Sequence, residues 1–334
     1  MWWMLFIGAG MISWALCHPT GAWLRKQKAW DVPNPRSSHD EPTLRGGGLS
    51  ALVVFAFALG GWVCFSEPRV GISWLVAICL LGYVSFQDDK RGVPIKTRLA
   101  AQILASIGVW VSMGGAVLPI WQIILGVCLL VVFTNFVNFM DGINGLAPGQ
   151  LILMPLGAAL LYGALGEQST GIPFVMALVM AGAIAGFLPF NFPRSTMFLG
   201  DVGSVPLGFS CGVLLVWMGI QTQHEELCFS LMPLTMYFFM EGSVTLLRRM
   251  WRREKWWQPH REHFYQRLVR SGWSHARTTS TIWLLQCVVT ALVYWRFCSG
   301  WSIYLLWLAT FLVWGGFFLY VGVVFRSRSQ DVIN

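Results

Sequence analysis

The chain predicts an all-α, polytopic membrane protein, and three observations carry that expectation. Of its 334 residues, 56% are hydrophobic and only 11% are charged. Apolar stretches of about 17 to 25 residues recur, the length a helix needs to cross the hydrocarbon of a bilayer. The stretches are continuous instead of alternating, so helices, which satisfy their own backbone polar groups in lipid, are expected over a β-barrel.

The apolar runs place spans near 2–24, 46–65, 71–87, 99–114, 119–140, 146–164, 171–190, 205–221, 228–247, 279–297 and 301–325, about eleven crossings in all. Residues 1–334 read as one integral membrane domain, without an internal repeat or an inserted soluble unit. The first run is a retained helix: Met1-Trp-Trp-Met-Leu lacks the basic start of a cleaved signal, and Arg25, Lys26 and Lys28 follow the run instead. The second opens on Gly46-Gly47-Gly48, the third closes on Asp88-Asp89, and the fifth runs out through Asn135, Asn138 and Asp141. Gly142 and Gly145 separate it from the sixth. Asp201 precedes the eighth, and the ninth contains Glu241. Eight cysteines lie in or beside these runs without a CxxC pair and read as small hydrophobes.

Of the 23 Lys and Arg residues, all but Arg69 and Arg296 fall after odd-numbered spans or in the C-terminal tail. The positive-inside rule therefore assigns loops 25–45, 88–98, 135–146, 191–204 and 248–278 and the C-terminus to the cytoplasm, and the N-terminus to the outside, which in a bacterial inner membrane is the periplasm. A net charge of +8 suits anionic headgroups of the lipid bilayer and phosphates on that face, and nucleic acid is not needed to explain it.

The polar motifs all fall on this side. Asn135-Phe-Val-Asn138-Phe-Met-Asp141 places a polar residue at every third position, a stripe along one arc of a continuing helix. A helix end needs one capping residue, not three in register. Asp88-Asp89 at a membrane boundary needs a cation to offset it, and with Lys96 it can meet a divalent metal and a phosphate together; a charged interfacial flank is the plainer alternative. The triple glycine after Arg45 could turn N–H groups toward an anion, and His39 and Arg45 are either phosphate contacts or parts of a solvated loop. Asp201 lies between glycines, accessible to a metal or ligand. Phe198 is placed to stack on a base or to anchor at the interface. His260 and His263, with Arg261 and Arg267, form a cationic cluster suited to a diphosphate, while Trp251, Trp256 and Trp257 seat the loop on the membrane. Glu241 is a carboxylate inside the bilayer, with Arg248 or Arg249 as expected partners.

An inventory of boundary acids, an amide stripe and a basic cluster suits a site that joins two phosphorylated substrates. Like charges about 4 Å apart repel by about 4 kcal/mol at an effective dielectric near 20, so cations are required. Hard oxygen ligands favour Mg²⁺, with Mn²⁺ as the alternative.

In order and membrane side, Asp88-Asp89, Asn135-x-x-Asn138-x-x-Asp141-Gly-x-Asn144-Gly, Phe198-Leu-Gly-Asp201-x-Gly-Ser and the His260 cluster resemble the polyprenyl-phosphate N-acetylhexosamine-1-phosphate transferase family. The match runs from about Arg36 to Arg277, and the His-Arg-x-His form of the last motif looks like the branch that starts O-antigen chains. The resemblance implies transfer of a sugar 1-phosphate from a UDP-N-acetylhexosamine (UDP-GlcNAc, UDP-FucNAc or UDP-QuiNAc) to undecaprenyl phosphate, releasing UMP at the bacterial inner membrane. It assigns Asp201 and Asp88 to the metal, and Asp88, Asp89, Asp141, His260 and His263 to catalysis. Substrate contacts would come from His39, Arg45, Lys96, Asn135, Asn138, Asn144, Asn191, Phe198 and Arg261. A homodimer fits the family likeness. Two positions depart from the pattern: Asn144 replaces a more usual Asp, and so does Glu241. The rival class is a transporter or flippase, which predicts polar groups at mid-span and two related halves.

Overall fold

The helices of the chain follow the apolar runs in order. The computed structural model describes residues 2–33, 41–65, 68–114, 118–164, 171–221, 225–255, 258 and 260–331. Helices α1 (Trp3–Lys26), α2 (Leu49–Phe65), α3 (Pro68–Arg91), α4 (Ile95–Ser112), α5 (Ile120–Phe139), α6 (Leu146–Gly163) and α7 (Ile172–Phe187) take up the first seven runs. Then come α8 (Asp201–Gln221), the pair α9 (Glu225–Leu231) and α10 (Met236–Trp251), the short α11 (Phe264–Arg270), and α12 (His275–Ser299) and α13 (Ile303–Asp331). Among the described residues, seven helices are long and apolar enough to cross a membrane by length and composition: α3, α5, α6, α7, α8, α12 and α13. Helix α2 is apolar but shorter.

The ninth expected span is broken. A 3-10 turn at Met232–Thr235 separates α9 from α10, and Pro233 within it lacks the N–H that would continue the helix. Beyond the turn, α10 buries Tyr237, Phe238, Glu241, Gly242, Thr245 and Arg249, a helical three-and-four spacing that turns one face, acid included, toward the protein.

Helix α8 is the central rod: nearly all of its apolar length is buried, and α2, α3, α5, α6 and α7 pack around it. Small residues let these helices approach closely, as at Gly186 of α7, where a Cβ would collide with the Gly10 carbonyl of α1. Among the described side chains, Cys17 and Cys211 are buried, whereas Cys64, Cys79, Cys128, Cys287 and Cys298 are exposed on the helix surfaces.

The described residues also hold a small sheet of strands β1 (Trp30–Asp31), β2 (Thr43–Arg45) and β3 (Met197–Phe198), with β1 antiparallel and β3 parallel to β2. Leu44 pairs with Met197 and Arg45 with Phe198, so the loop after α1 is stitched to the loop before α8.

Candidate functional site

The stitch determines what the triple glycine does. Gly46 and Gly47 donate their N–H groups to the Phe198 carbonyl at 3.2 and 2.8 Å, and Gly48 donates to the Leu199 carbonyl at 3.0 Å. These donors are therefore used within the fold, and the expected anion nest is corrected to a backbone junction. A Cβ at Gly48 would stand 2.6 Å from the Gly203 Cα, so only glycine lets α2 start against α8. Gly200 has φ +74, the left-handed region glycine adopts without strain.

Beside this junction four acids and two arginines converge. Arg45 places Nε 2.6 Å from Asp89 Oδ1 and Nη2 2.7 Å from Asp201 Oδ1. Burial works against the Arg45 charge, but Asp89, Asp201 and Asp31 outweigh it and raise its pKa. Arg98 sits 2.6 Å from Asp88 Oδ2, and the same nitrogen is 4.0 Å from Asp201 Oδ2. Asp88 also accepts from the Val93 N–H at 2.6 Å, which ends α3 on a fixed carboxylate. Asp89 accepts from the N–H groups of Asp201 and Val202 at 3.2 and 3.1 Å. Asp141 follows the end of α5 and accepts from the Gly200 backbone; burial and the Asp201 charge push its carboxyl well above the ordinary value.

Two amides of the stripe reach this corner by different routes. Asn138 donates to Asp201 Oδ1 at 3.2 Å and to Ser204 Oγ at 2.9 Å. Asn135 pairs with Gln102 of α4, donating to its Oε1 at 2.6 Å. Helix α5 stops at Phe139, so Asp141 belongs to the following turn and not to the helical stripe.

Other expected contacts are committed to the scaffold. Asn191 is buried; its Oδ1 accepts from the Gly145 N–H at 2.7 Å and its Nδ2 donates to the Met197 carbonyl at 3.0 Å. Asn144 donates to the Pro193 carbonyl at 3.1 Å and accepts at its own carbonyl from Thr279. Both brace the turn between α5 and α6. Phe198 is half-buried in β3 instead of lying in an open loop. Lys96 is exposed and makes no ion pair among the described residues, and Arg98 takes the expected place beside Asp88. His39, Trp256 and Trp257 lie outside the described residues.

The loop after α10 differs most from expectation. Glu241 meets neither Arg248 nor Arg249. Its Oε2 lies 3.3 Å from His263 Nδ1 and accepts from Thr245 Oγ1 at 3.2 Å, while its Oε1 accepts from the Tyr265 N–H at 3.2 Å. Arg249 pairs with Glu254 at 2.8 Å. Arg267, expected in the diphosphate cluster, is buried and holds Glu262 at 2.7 Å, with Arg248, Arg252 and Arg270 within 4 Å of the same carboxyl. Burial opposes the Glu262 charge, but Arg267, Arg248 and Arg270 overcome it and lower its pKa. Arg261 accepts at its carbonyl from Arg270 at 3.4 Å. His260 is not cationic either: burial, then His263 and Arg249, lower its pKa from 6.5 to about 4.

These groups border one cavity of about 490 Å³, whose lining includes the polar Arg98, Asn135, Asn138, Asp201, His260 and His263 and the apolar Leu81, Val84, Leu99, Phe139, Val205 and Leu246. The acid corner and the histidine loop, far apart in the chain, thus line the same cavity. Among the described residues no three His, Cys, Asp or Glu side chains form a complete metal cage. The donors nonetheless fit Mg²⁺, an ion that binds through one or two carboxylates and takes its remaining ligands from substrate phosphates and water. Asp88, Asp89 and Asp201 set against Arg45 and Arg98 leave one net negative charge, and Asp141 adds a second when ionised.

Fold and site together define a multi-pass membrane protein with a cleft lined by acidic, basic and apolar side chains. Residues 71–219 match the family model described as Glycosyl transferase family 4, a stretch that contains every acid of the corner but neither Arg45 nor the histidine loop. The chain is 26% identical to the decaprenyl-phosphate N-acetylglucosaminephosphotransferase of Mycobacterium leprae, over 83% of this chain and 79% of that protein. The Mycolicibacterium smegmatis protein of the same name is 29% identical, over 75% and 71%. The phospho-N-acetylmuramoyl-pentapeptide-transferase of Lacticaseibacillus paracasei is 28% identical, over 73% and 80%. The family resemblance read from the motifs is borne out.

Proposed function

We propose that the protein is a polyprenyl-phosphate sugar-1-phosphate transferase. The observation that carries this reading is that Asp201, Asn138, Arg98, His260 and His263 line one cavity together with apolar side chains. Two anionic phosphates and a lipid tail need such a combination of cations, acids and greasy wall.

In this reading the lipid phosphate enters beside Asp88 and Arg98, with its tail against Leu81, Val84 and Leu99. A phosphate oxygen of the lipid bonds to the sugar-proximal phosphorus of a nucleoside diphosphate sugar. The bond from that phosphorus to the nucleotide's phosphate oxygen breaks, and the nucleoside monophosphate leaves with the electron pair. Arg45 and Arg98 exchange their carboxylates for phosphate oxygens, and the cleft walls limit water. Asp201 and Asp88 would hold Mg²⁺ or Mn²⁺, which when bound offsets charge on the transferred phosphoryl group.

The motif likeness supports a UDP-N-acetylhexosamine as donor and undecaprenyl phosphate as acceptor, and the relatives' names support the coarser pair of an N-acetylated amino-sugar phosphate and a polyprenyl phosphate. The histidine motif favours an O-antigen-starting role, whereas the relatives' names point to cell-wall synthesis; donor preference separates the two. The basic loops support an inner-leaflet site in the bacterial cytoplasmic membrane. A transporter is the weaker reading, since Asp88, Asp89 and Asp201 lie in the end turns of α3 and α8 and not at mid-span.

The test is nucleotide release from purified protein supplied with Mg²⁺, undecaprenyl phosphate and a panel of UDP-GlcNAc, UDP-FucNAc, UDP-QuiNAc and UDP-MurNAc-pentapeptide. UMP formation that depends on the lipid phosphate supports the reading. No release with any donor would overturn it.

A further inference from the structure

The two histidines of the cavity have different neighbours, and their neighbours assign them different chemistry. At His263, Nδ1 faces the Glu241 carboxylate at 3.3 Å. Both Glu241 oxygens already accept other hydrogen bonds, from Thr245 and Tyr265, and an ionised carboxylate can only accept. The Nδ1 proton therefore points to Glu241, and Nε2 is the nitrogen left with a lone pair. At His260 the arrangement is reversed: Nδ1 accepts from the Glu262 N–H at 3.3 Å. In the neutral ring the proton is then on Nε2, a donor. The rings lie 4.8 Å apart by centroid and both line the cavity.

Glu241 is fully buried, so holding it there costs free energy that its three donors must offset. Tyr265 strengthens the same arrangement. Its hydroxyl donates to the Phe139 carbonyl at 2.9 Å, filling space that Gly142 leaves open, and its ring stacks on His263 at 5.8 Å. The end of α5, the middle of α10 and the start of α11 are thus joined through Tyr265, with the His263 ring stacked on it.

We propose that Glu241 is a positioning residue that locks His263 in the Nδ1–H form, making Nε2 the proton acceptor of the cavity, while His260 serves as a fixed neutral donor. This rests on the transferase reading above. Nε2 of His263 takes the proton of a singly protonated lipid phosphate as its oxygen bonds to phosphorus, and returns it to the departing nucleotide's phosphate. Nε2–H of His260 donates to a diphosphate oxygen throughout. The charged and titratable groups around the two rings are Glu241 and Tyr265 at His263, Arg248, Arg249 and Glu262 at His260, and Arg98 and Asp201 in the lining of the same cavity. Glu241 is the one in hydrogen-bonding reach of the His263 ring.

Two measurements on the full-length protein test this. In ¹⁵N-histidine-labelled protein, His263 assigned through His263→Gln should show a protonated Nδ1 and an unprotonated Nε2 at neutral pH, and His260 the opposite pattern. An Nε2–H tautomer at His263 would overturn the proposal even if no transferase activity were found. In the UMP-release assay, Glu241→Gln should lower kcat roughly 100-fold with KM for the donor within about threefold, and Glu241→Asp should recover part of the loss. Loss of the carboxylate charge should also move the acidic limb of the kcat profile to lower pH. Unchanged kcat and pH limb in Glu241→Gln, or a loss confined to KM, would overturn the role. An inactive wild-type protein with the expected tautomers would instead count against the transferase reading.

Discussion

Asp89 caps a helix to which it does not belong: from the last turn of α3 its carboxylate accepts the N–H groups of Asp201 and Val202, which open α8. A negative charge at a helix N-terminus is favourable in itself, and here it also fixes the position of the neighbouring acid that faces the cavity. Its neighbour Asp88 faces Arg98 instead. Two adjacent carboxylates thus do separate jobs.

The contrast is measurable. Asp89→Ala removes a cap and the Arg45 pair and should cost about 1–2 kcal/mol, seen as a lower Tm in detergent. Asp201→Ala should abolish UMP release with a smaller change in Tm, because it gives up its contacts with Arg45 and Asn138 but leaves the first N–H groups of α8 capped by Asp89. A stable Asp89→Ala would contradict the capping role.

Arg98 and Lys96 make a second pair. Arg98→Ala should reduce UMP release by roughly 100-fold, the scale of losing one charge-stabilising donor. Lys96→Ala should stay within about twofold, as for an exposed side chain with weak long-range influence. Equal losses in the two variants would show that Lys96 also reaches substrate.

Gly48→Ala tests the junction below the acids. The added carbon meets Gly203 Cα at 2.6 Å and the Leu199 carbonyl at 2.8 Å, both backbone. Separation of α2 from α8 should cost about 1–3 kcal/mol and weaken activity together with thermal stability. Retention of the wild-type Tm would mean that the helices part without strain.

His260 links stability to acidity. Its folded pKa, about 4, lies below the ordinary 6.5, so between these values the unfolded chain binds the extra proton. Its contribution is full above pH 6.5 and is lost as pH falls toward 4. Thermal melts of wild type should decline over that window more steeply than those of His260→Gln, and parallel curves would argue against a neutral ring.

Chelation tests the ion. EDTA should stop UMP release, and Mg²⁺ or Mn²⁺ should restore it more fully than Ca²⁺, whose larger coordination sphere suits a small carboxylate-and-phosphate site poorly. Full activity in EDTA would remove the metal from the proposal.

Much of this architecture was legible in the sequence, for reasons specific to each part. Span positions follow from apolar length, which the bilayer fixes. The break at Met232–Thr235 escaped because hydropathy ignores Pro233. The acids stood out because boundary carboxylates in so apolar a chain are costly. Choosing Lys96 over Arg98 neglected helical phase: Ile95, Arg98, Leu99 and Gln102 line the cavity, a one, four, five and eight spacing that excludes Lys96. For Glu241, near-neighbour spacing suggested Arg248 or Arg249. Its actual partner, His263, lies 22 residues onward, across a loop whose path local rules do not specify. The glycine triplet misled for a similar reason, since its N–H acceptors are about 150 residues away.

The parallel pairing of Arg45 with Phe198 has a consequence for sequence length. Successive strand residues point to opposite sides, so inserting or deleting a single residue between Thr43 and Gly46 would swing the guanidinium away from Asp89 and Asp201. Homologues can therefore vary the composition of this short ribbon far more freely than its count.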